Sequence, residues 1–249
     1  MPVKLFYEEY GAGAPVVCIH GFPLDHTIWM SLVPLLETKA RLILPDLRGH
    51  GRSPVVEDIY SMQDMAEDIL LLLDGLKLEK VVLVGQSMGG YVALQFARSF
   101  PERLSGLALV ASHPYADSPE QKKERLEMIE EVRRAGVATV LETFPAKLCA
   151  NTDIQEFTRA IIERTPAQGV VKSIQAMMER EDTTGVLLEA QCPTAIILGN
   201  DDPFISREIR QKMQIQFPFT QFTIIDGVAH MLMMEKSEDV SKILIHLIN

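Results

Sequence analysis

The chain has 249 residues, a formal net charge of −10, and 47% hydrophobic against 6% aromatic side chains. This is the composition of a globular protein with an aliphatic core, and it excludes a disordered chain. So acidic a surface repels phosphate backbones and anionic lipid heads, which argues against nucleic-acid and membrane partners, and it disfavours strongly anionic substrates unless basic residues are focused locally.

Continuous apolar runs at residues 16–19, 41–45, 81–84 and 107–110 predict strands buried on both faces of a parallel sheet. Between the second and third, Met62, Met65, Ala66, Ile69, Leu72, Leu73 and Leu76 recur at helical spacing. Ser61 is placed to cap that helix, with Asp64 beside its first-turn donors. A second helix follows Ser87, with Gly90, Ala93, Leu94 and Ala97 on one face and Pro101 beyond its end. Small residues on that face let it pack close to the sheet.

From about residue 115 the pattern changes, and no strand is expected before residue 192. Ser118-Pro119 is an N-cap followed by a proline suited to the first helical position, and Gly136 is a stop. Thr165-Pro166 repeats the start signal, and Val170, Ile174, Met177 and Met178 then share a stripe read as packing rather than pocket. A segment of roughly 75 residues is too long for a structureless loop, so it is expected to be a helical cap. Strands resume at 194–198 and 222–225, and a last helix runs over about 237–248. The expected architecture is α/β, a mostly parallel sheet with helices on both faces and an inserted cap. Residues 1–114 form the first part of the core, 115–191 the cap and 192–249 the second part.

Cys18, Cys149 and Cys192 are far apart, odd in number and form no CxxC pair. Neither a disulfide framework nor a metal site is expected, and the thiols read as buried or half-buried in a reducing compartment. The N-terminus lacks the shape of a signal peptide and no apolar run is long enough to span a bilayer, so a cytoplasmic location is expected.

The chemistry concentrates where the strand 81–84 runs into Gly85-Gln86-Ser87-Met88-Gly89-Gly90. A Gly-x-Ser-x-Gly turn between strand and helix forces the serine to positive φ and lifts its hydroxyl above the sheet at a helix N-terminus. A serine hydroxyl needs a base. His230 follows the strand 222–225 on a loop at the carboxyl edge of the sheet, where open α/β folds bind ligands. His26 and His50 lie in loops and could line a pocket; His246 falls in the last helix as a surface or packing residue. The strand 194–198 ends at Asp201-Asp202, and either aspartate could orient the base. The order Ser…Asp…His fits one serine-hydrolase arrangement and not the others. The Ser87 hydroxyl is expected near one His230 ring nitrogen, with the acid on the other. Two backbone N–H groups, of Phe22 after His20-Gly21 and of Met88 after the nucleophile, are candidates for an oxyanion hole.

These pieces, with Asp46-Leu47-Arg48-Gly49-His50-Gly51-Arg52-Ser53 and Gly227-Val228-Ala229-His230, resemble the cap-bearing α/β-hydrolase superfamily over essentially the whole chain. The resemblance implies the α/β-hydrolase fold, no cofactor, and small-molecule ester or lactone substrates. It maps the triad acid onto Asp202 and implies that the loop holding Arg48 and His50 is structural. The similar subfamily contains carboxylesterases, enol-lactonases, pimeloyl-carrier methyl ester esterases and cofactor-free haloperoxidases. Compared with the family, the N-terminal hairpin is short, so one edge strand is expected to be missing or very short. His113 follows the strand 107–110, where either a pocket-facing or a capped loop position is open. A carboxylesterase acting through an acyl-enzyme is the leading expectation. An enol-lactonase or a perhydrolase with the same triad is the enzymatic alternative. A ligand-binding receptor or scaffold on the same fold is the non-enzymatic one.

Overall fold

The computed structural model describes residues 1–248. Seven strands form one sheet: β1 (Tyr7–Tyr10), β2 (Ala14–Ile19), β3 (Ala40–Pro45), β4 (Val81–Gln86), β5 (Leu104–Val110), β6 (Thr194–Gly199) and β7 (Gln221–Ile225). Their order is β1-β3-β2-β4-β5-β6-β7. Only β1 runs antiparallel, pairing Tyr7 with Pro45 through Tyr10 with Leu42; it is the short edge strand expected. Strands β4 and β6 are buried at every position, because helices cover them from both sides.

The helices, in chain order, are α1 (Val33–Leu36), α2 (Met62–Gly75), α3 (Met88–Ser99), α4 (Pro119–Ala135), α5 (Ala138–Leu148), α6 (Thr152–Arg164), α7 (Ala167–Glu179), α8 (Thr184–Leu188), α9 (Arg207–Gln216), α10 (Leu232–Glu235) and α11 (Ser237–Ile248). Helix α2 packs on α3, which lies against β2, β4 and β5; α1 and α11 form a second packed group against the sheet. Ser61 starts α2 with a complete capping box, its side chain accepting from Asp64 N–H while Asp64 reaches back. Ser118 starts α4 in the same way with Gln121.

Helices α4 to α8 occupy the whole stretch between β5 and β6. Thr165 departs from the reading as an N-cap: α7 starts one residue later, with Pro166 in the cap position. The Thr165 hydroxyl instead donates to the carbonyls of Pro23 and Ile161, at 3.1 and 3.0 Å. A buried carbonyl of the Phe22–Pro23 loop drew it away from the helix, so this threonine joins the helical segment to the core. Val170, Ile174 and Met177 are buried as packing residues, although Met177 also reaches the pocket described below.

Candidate active site

Ser87 sits between β4 and α3 with φ 50° and ψ −116°. That backbone is costly for a residue with a Cβ, and the surroundings hold it there. A Cβ on Gly85 would lie 2.3 Å from the Gly89 carbonyl oxygen, and one on Gly89 would lie 2.3 Å from the Ile19 carbonyl oxygen. The turn therefore closes only with glycine at both positions. Ser87 N–H donates to Val110 O at 3.0 Å, and Ser112 Oγ donates to Ser87 O at 2.8 Å. Both bonds tie the strained residue to the end of β5.

His230 lies in the loop between β7 and α10, and Asp202 just beyond β6. Both are buried, and His230 Nδ1 meets Asp202 Oδ2 at 2.8 Å. Asp202 Oδ1 accepts from Phe204 N–H at 2.9 Å, so both carboxylate oxygens are held. Asp201 is exposed, and its backbone N–H donates to Val228 O at 3.1 Å; it does not serve the ring. The His230 loop lies tight against β6: a Cβ on Gly199 would be 2.1 Å from Ala229 O. From the other side, His230 N–H donates to Leu148 O at the end of α5, at 2.9 Å. Ser87 and His230 line the same pocket, but no hydrogen bond joins Ser87 Oγ to the ring among the described residues. Catalytic hydrogen bonds are commonly long or misaligned without substrate.

Gly21 brings the loop after β2 against the serine. A Cβ there would lie 2.0 Å from Gln86 Oε1 and 3.0 Å from Ser87 Cβ. The next residue is Phe22. Neither its N–H nor that of Met88 donates to a protein group among the described residues, so both remain open to a ligand.

The pocket has a volume of about 220 Å³. The core contributes Phe22, Ser87, Tyr91, His113, Phe204 and His230, and the α4–α5 helices contribute Arg125, Met128, Phe144 and Lys147 among others. A larger cleft of about 420 Å³, between Arg98 of α3 and Cys192, contains none of Ser87, Asp202 or His230. Tyr91, Phe144 and Phe204 were not singled out from the sequence. Tyr91 had a usable signal, since it lies one turn along α3 from Ser87; Phe144 had none.

The other histidines divide clearly. His20 is buried and structural: Leu47 N–H donates to its Nε2 at 2.9 Å while Nδ1 faces Gly21 O at 2.9 Å. His50 is also buried, and burial followed by the neighbouring His20 pushes its pKa down to about 3. Arg48 forms a buried pair with Asp68 of α2 at 2.5 Å, so this loop is structural as the resemblance implied. His26 bonds Asp46 at 2.7 Å, away from Ser87. Asp25, His26 and Asp46 approach within 4.8 Å of one another. Their atoms are engaged internally, with Asp46 accepting the N–H groups of His26 and Arg52 and Asp25 that of Thr27. Exposed His246 is a surface residue of α11. His113 faces the pocket, which decides between its two expected placements.

The alpha/beta hydrolase fold family matches residues 14–237, and the chain belongs to that family. A thermophilic esterase from Thermogutta terrifontis, solved with malate bound, superposes with a TM-score of 0.92 at 37% identity, covering 97% of this chain and 92% of that one. The 3-oxoadipate enol-lactonase 1 of Acinetobacter baylyi is 29% identical over 90% of this chain and 84% of its own length. A pimeloyl-[acyl-carrier protein] methyl ester esterase of Aeromonas hydrophila is 25% identical over 97% of this chain and 98% of its own. The class so defined is a hydrolase acting on ester bonds. Among the described residues, no helix is long and apolar enough to cross a membrane.

Proposed function

We propose that this protein cleaves carboxylic esters of small substrates through an acyl-enzyme, with Ser87 as nucleophile, His230 as general base and Asp202 as its orienter. The observation that carries the reading is the strained Ser87, opening into a pocket shared with a histidine whose Nδ1 is held by a buried aspartate at 2.8 Å. With Nδ1–H donated to Asp202, the neutral ring presents Nε2 as the acceptor, which is what removing the Ser87 proton requires. Ser87 Oγ attacks the ester carbonyl, and the N–H groups of Phe22 and Met88 receive the developing oxyanion. Each such donor is typically worth about 3–4 kcal/mol in the transition state. The imidazolium returns the proton to the leaving alkoxide. Water, activated by the same nitrogen, then releases the acid.

The reading extends to lactones, whose ring ester presents the same carbonyl. Residues 115–191 act as a cap, since Arg125, Met128 and Phe144 close the pocket opposite Ser87. Perhydrolysis, with hydrogen peroxide replacing water at the second step, is the runner-up, supported by 28% identity over 93% of the chain to a non-heme chloroperoxidase of Kitasatospora aureofaciens. The presence of Ser87, His230 and Asp202 together argues against a receptor role.

The test is a panel of p-nitrophenyl esters of rising chain length beside lactones and thioesters, with peracid formation from acetate and peroxide measured in parallel. Hydrolysis of short esters at rates that Ser87→Ala abolishes is the expected result. Peracid formation that outruns every hydrolysis would move the assignment to perhydrolysis. Inertness toward the whole panel would contradict the enzymatic reading.

A further inference from the structure

The pocket holds an aromatic polar pair that the ester mechanism does not use. His113 follows β5 and is buried, and Tyr91 lies on α3 one turn from Ser87. The backbone N–H of Tyr115 points at His113 Nδ1 at 3.3 Å. A backbone N–H can only donate, so Nδ1 is an acceptor and carries no proton. An imidazolium, with donors on both nitrogens, is incompatible with that contact. The ring is therefore neutral with its hydrogen on Nε2, and Nε2 faces Tyr91 Oη at 3.3 Å. It follows that His113 donates and Tyr91 accepts.

The surroundings support the same state. Burial first, and then the Arg180 guanidinium, push the His113 pKa down to about 3, with Arg125 adding to the effect and Asp117 and Asp202 opposing it. Arg180 pairs with Asp117 at 2.7 Å and places its guanidinium 3.9 Å from the centre of the Tyr91 ring. His113 stacks on Tyr115. The Tyr91 ring is thus clamped between the core and the α7 end of the cap.

One hydrogen is left over. Having accepted from His113, the Tyr91 hydroxyl still has its own hydrogen to donate, and no acceptor meets it among the described residues. Tyr91 lines the pocket that holds Ser87. A ligand that fills the pocket without offering an acceptor strands that hydrogen; one that brings an oxygen satisfies it.

We infer that Tyr91, oriented by His113, is a substrate-binding donor that selects esters or lactones bearing a further oxygen acceptor outside the reacting ester group, such as an ether, keto, hydroxyl or carboxylate oxygen. The inference rests on the Ser87 reading and adds a substrate class to it. The direction of the relay matters, because a His113 that accepted from Tyr91 would leave the tyrosine no hydrogen to present.

The experiment uses isosteric substrate pairs that differ by one oxygen for one methylene: p-nitrophenyl methoxyacetate against butanoate, and 2-methoxyethyl acetate against butyl acetate. The first pair places the oxygen in the acyl part, the second in the alcohol part. The readout is the ratio of kcat/KM within each pair, for wild type and for Tyr91→Phe, which keeps the ring beneath Arg180. In at least one pair, Tyr91→Phe is expected to lower the oxygen-to-methylene ratio about five- to tenfold, as loss of one hydrogen bond implies. Because intrinsic ester reactivity cancels between the two proteins, a ratio unchanged in both pairs overturns the inference and leaves Ser87 standing. Hydrolysis that survives Ser87→Ala, or no hydrolysis by wild type, overturns the underlying reading and this inference with it. Nitrogen-15 spectra of His113 provide a measurement independent of turnover. An Nε2–H tautomer that does not titrate between pH 5 and 9 is expected, and an Nδ1–H tautomer or a titrating ring overturns the relay.

Discussion

The two walls of the pocket are built on different principles. The core wall is fixed by backbone: a Cβ on Gly21, Gly85, Gly89 or Gly199 would lie only 2.0 to 2.3 Å from another atom, in all but the first a backbone carbonyl oxygen. The cap wall is made of side chains: of the three cap glycines, Gly136 and Gly185 have nothing within 4 Å, and Gly169, whose Cβ would lie 2.1 Å from Gly49 O, does not line the pocket. A wall set by backbone contacts cannot drift without losing the turn that strains Ser87. A wall set by side chains such as Phe144, Arg125 and Lys147 can be exchanged while the fold persists. The proposed chemistry, with the Tyr91 donor, therefore belongs to the rigid wall, and the choice of apolar chain length to the other.

The largest effect should come from the rigid wall. Ser87→Ala and His230→Ala are each expected to lower kcat by roughly 10⁴–10⁶, and the double variant should be little worse than either, because the residues act as a unit. Steady-state kinetics on a short ester checks this. Losses that multiply would mean His230 does not work through Ser87.

Glycine substitution sharpens the contrast. Gly89→Ala must displace the Ile19 carbonyl and is expected to cost about 3 kcal/mol or more. Gly185→Ala, in open space within α8, should be neutral or stabilising by up to about 1 kcal/mol. Urea unfolding of both variants measures the difference, and equal costs would erase the contrast between the core backbone around Ser87 and this open cap position.

Phe144→Ala comes next. It opens the cap wall beside Phe22 and Phe204, whose rings lie 5.8 and 5.6 Å from its own. The preference between long and short acyl chains should shift about tenfold. An unchanged chain-length profile would remove α5 from the specificity wall.

What could be read from the sequence divides along the same line. The strands at 81–84 and 194–198, the elbow, and the Asp202–His230 pair were legible because backbone geometry restricts the residue types allowed: glycines around a positive-φ serine, and apolar runs where both faces are covered. The helix α5 was not legible in detail, since Pro145 lies within it and the α helical pattern reads as broken there. Thr165 was misplaced because its hydroxyl serves Pro23, a partner 142 residues away that no local pattern reveals. Phe144 and Arg125 reach the pocket only through tertiary packing.

A further expected effect concerns acid stability. His50 and His113, ordinarily near 6.5, are each held at about 3 in the fold, chiefly by burial. Between those values the unfolded chain binds protons that the folded one refuses. Their contribution is therefore complete above pH 6.5 and is lost progressively as pH falls toward 3. One histidine fewer should flatten the stability profile in that window. Chemical unfolding of His113→Asn from pH 6 to 4 tests this, and a slope equal to wild type would mean the ring is not refused a proton.

The central claim is that Ser87 forms the covalent intermediate, and trapping it is the direct measurement. The protein is mixed with a p-nitrophenyl ester of a slowly released acyl group, quenched in acid, digested and analysed by mass spectrometry. The account expects one acyl group per chain, on the peptide containing Ser87, and none on Ser87→Ala. Acylation at another residue, or turnover with no acylated Ser87 under conditions where deacylation is slow, would contradict it.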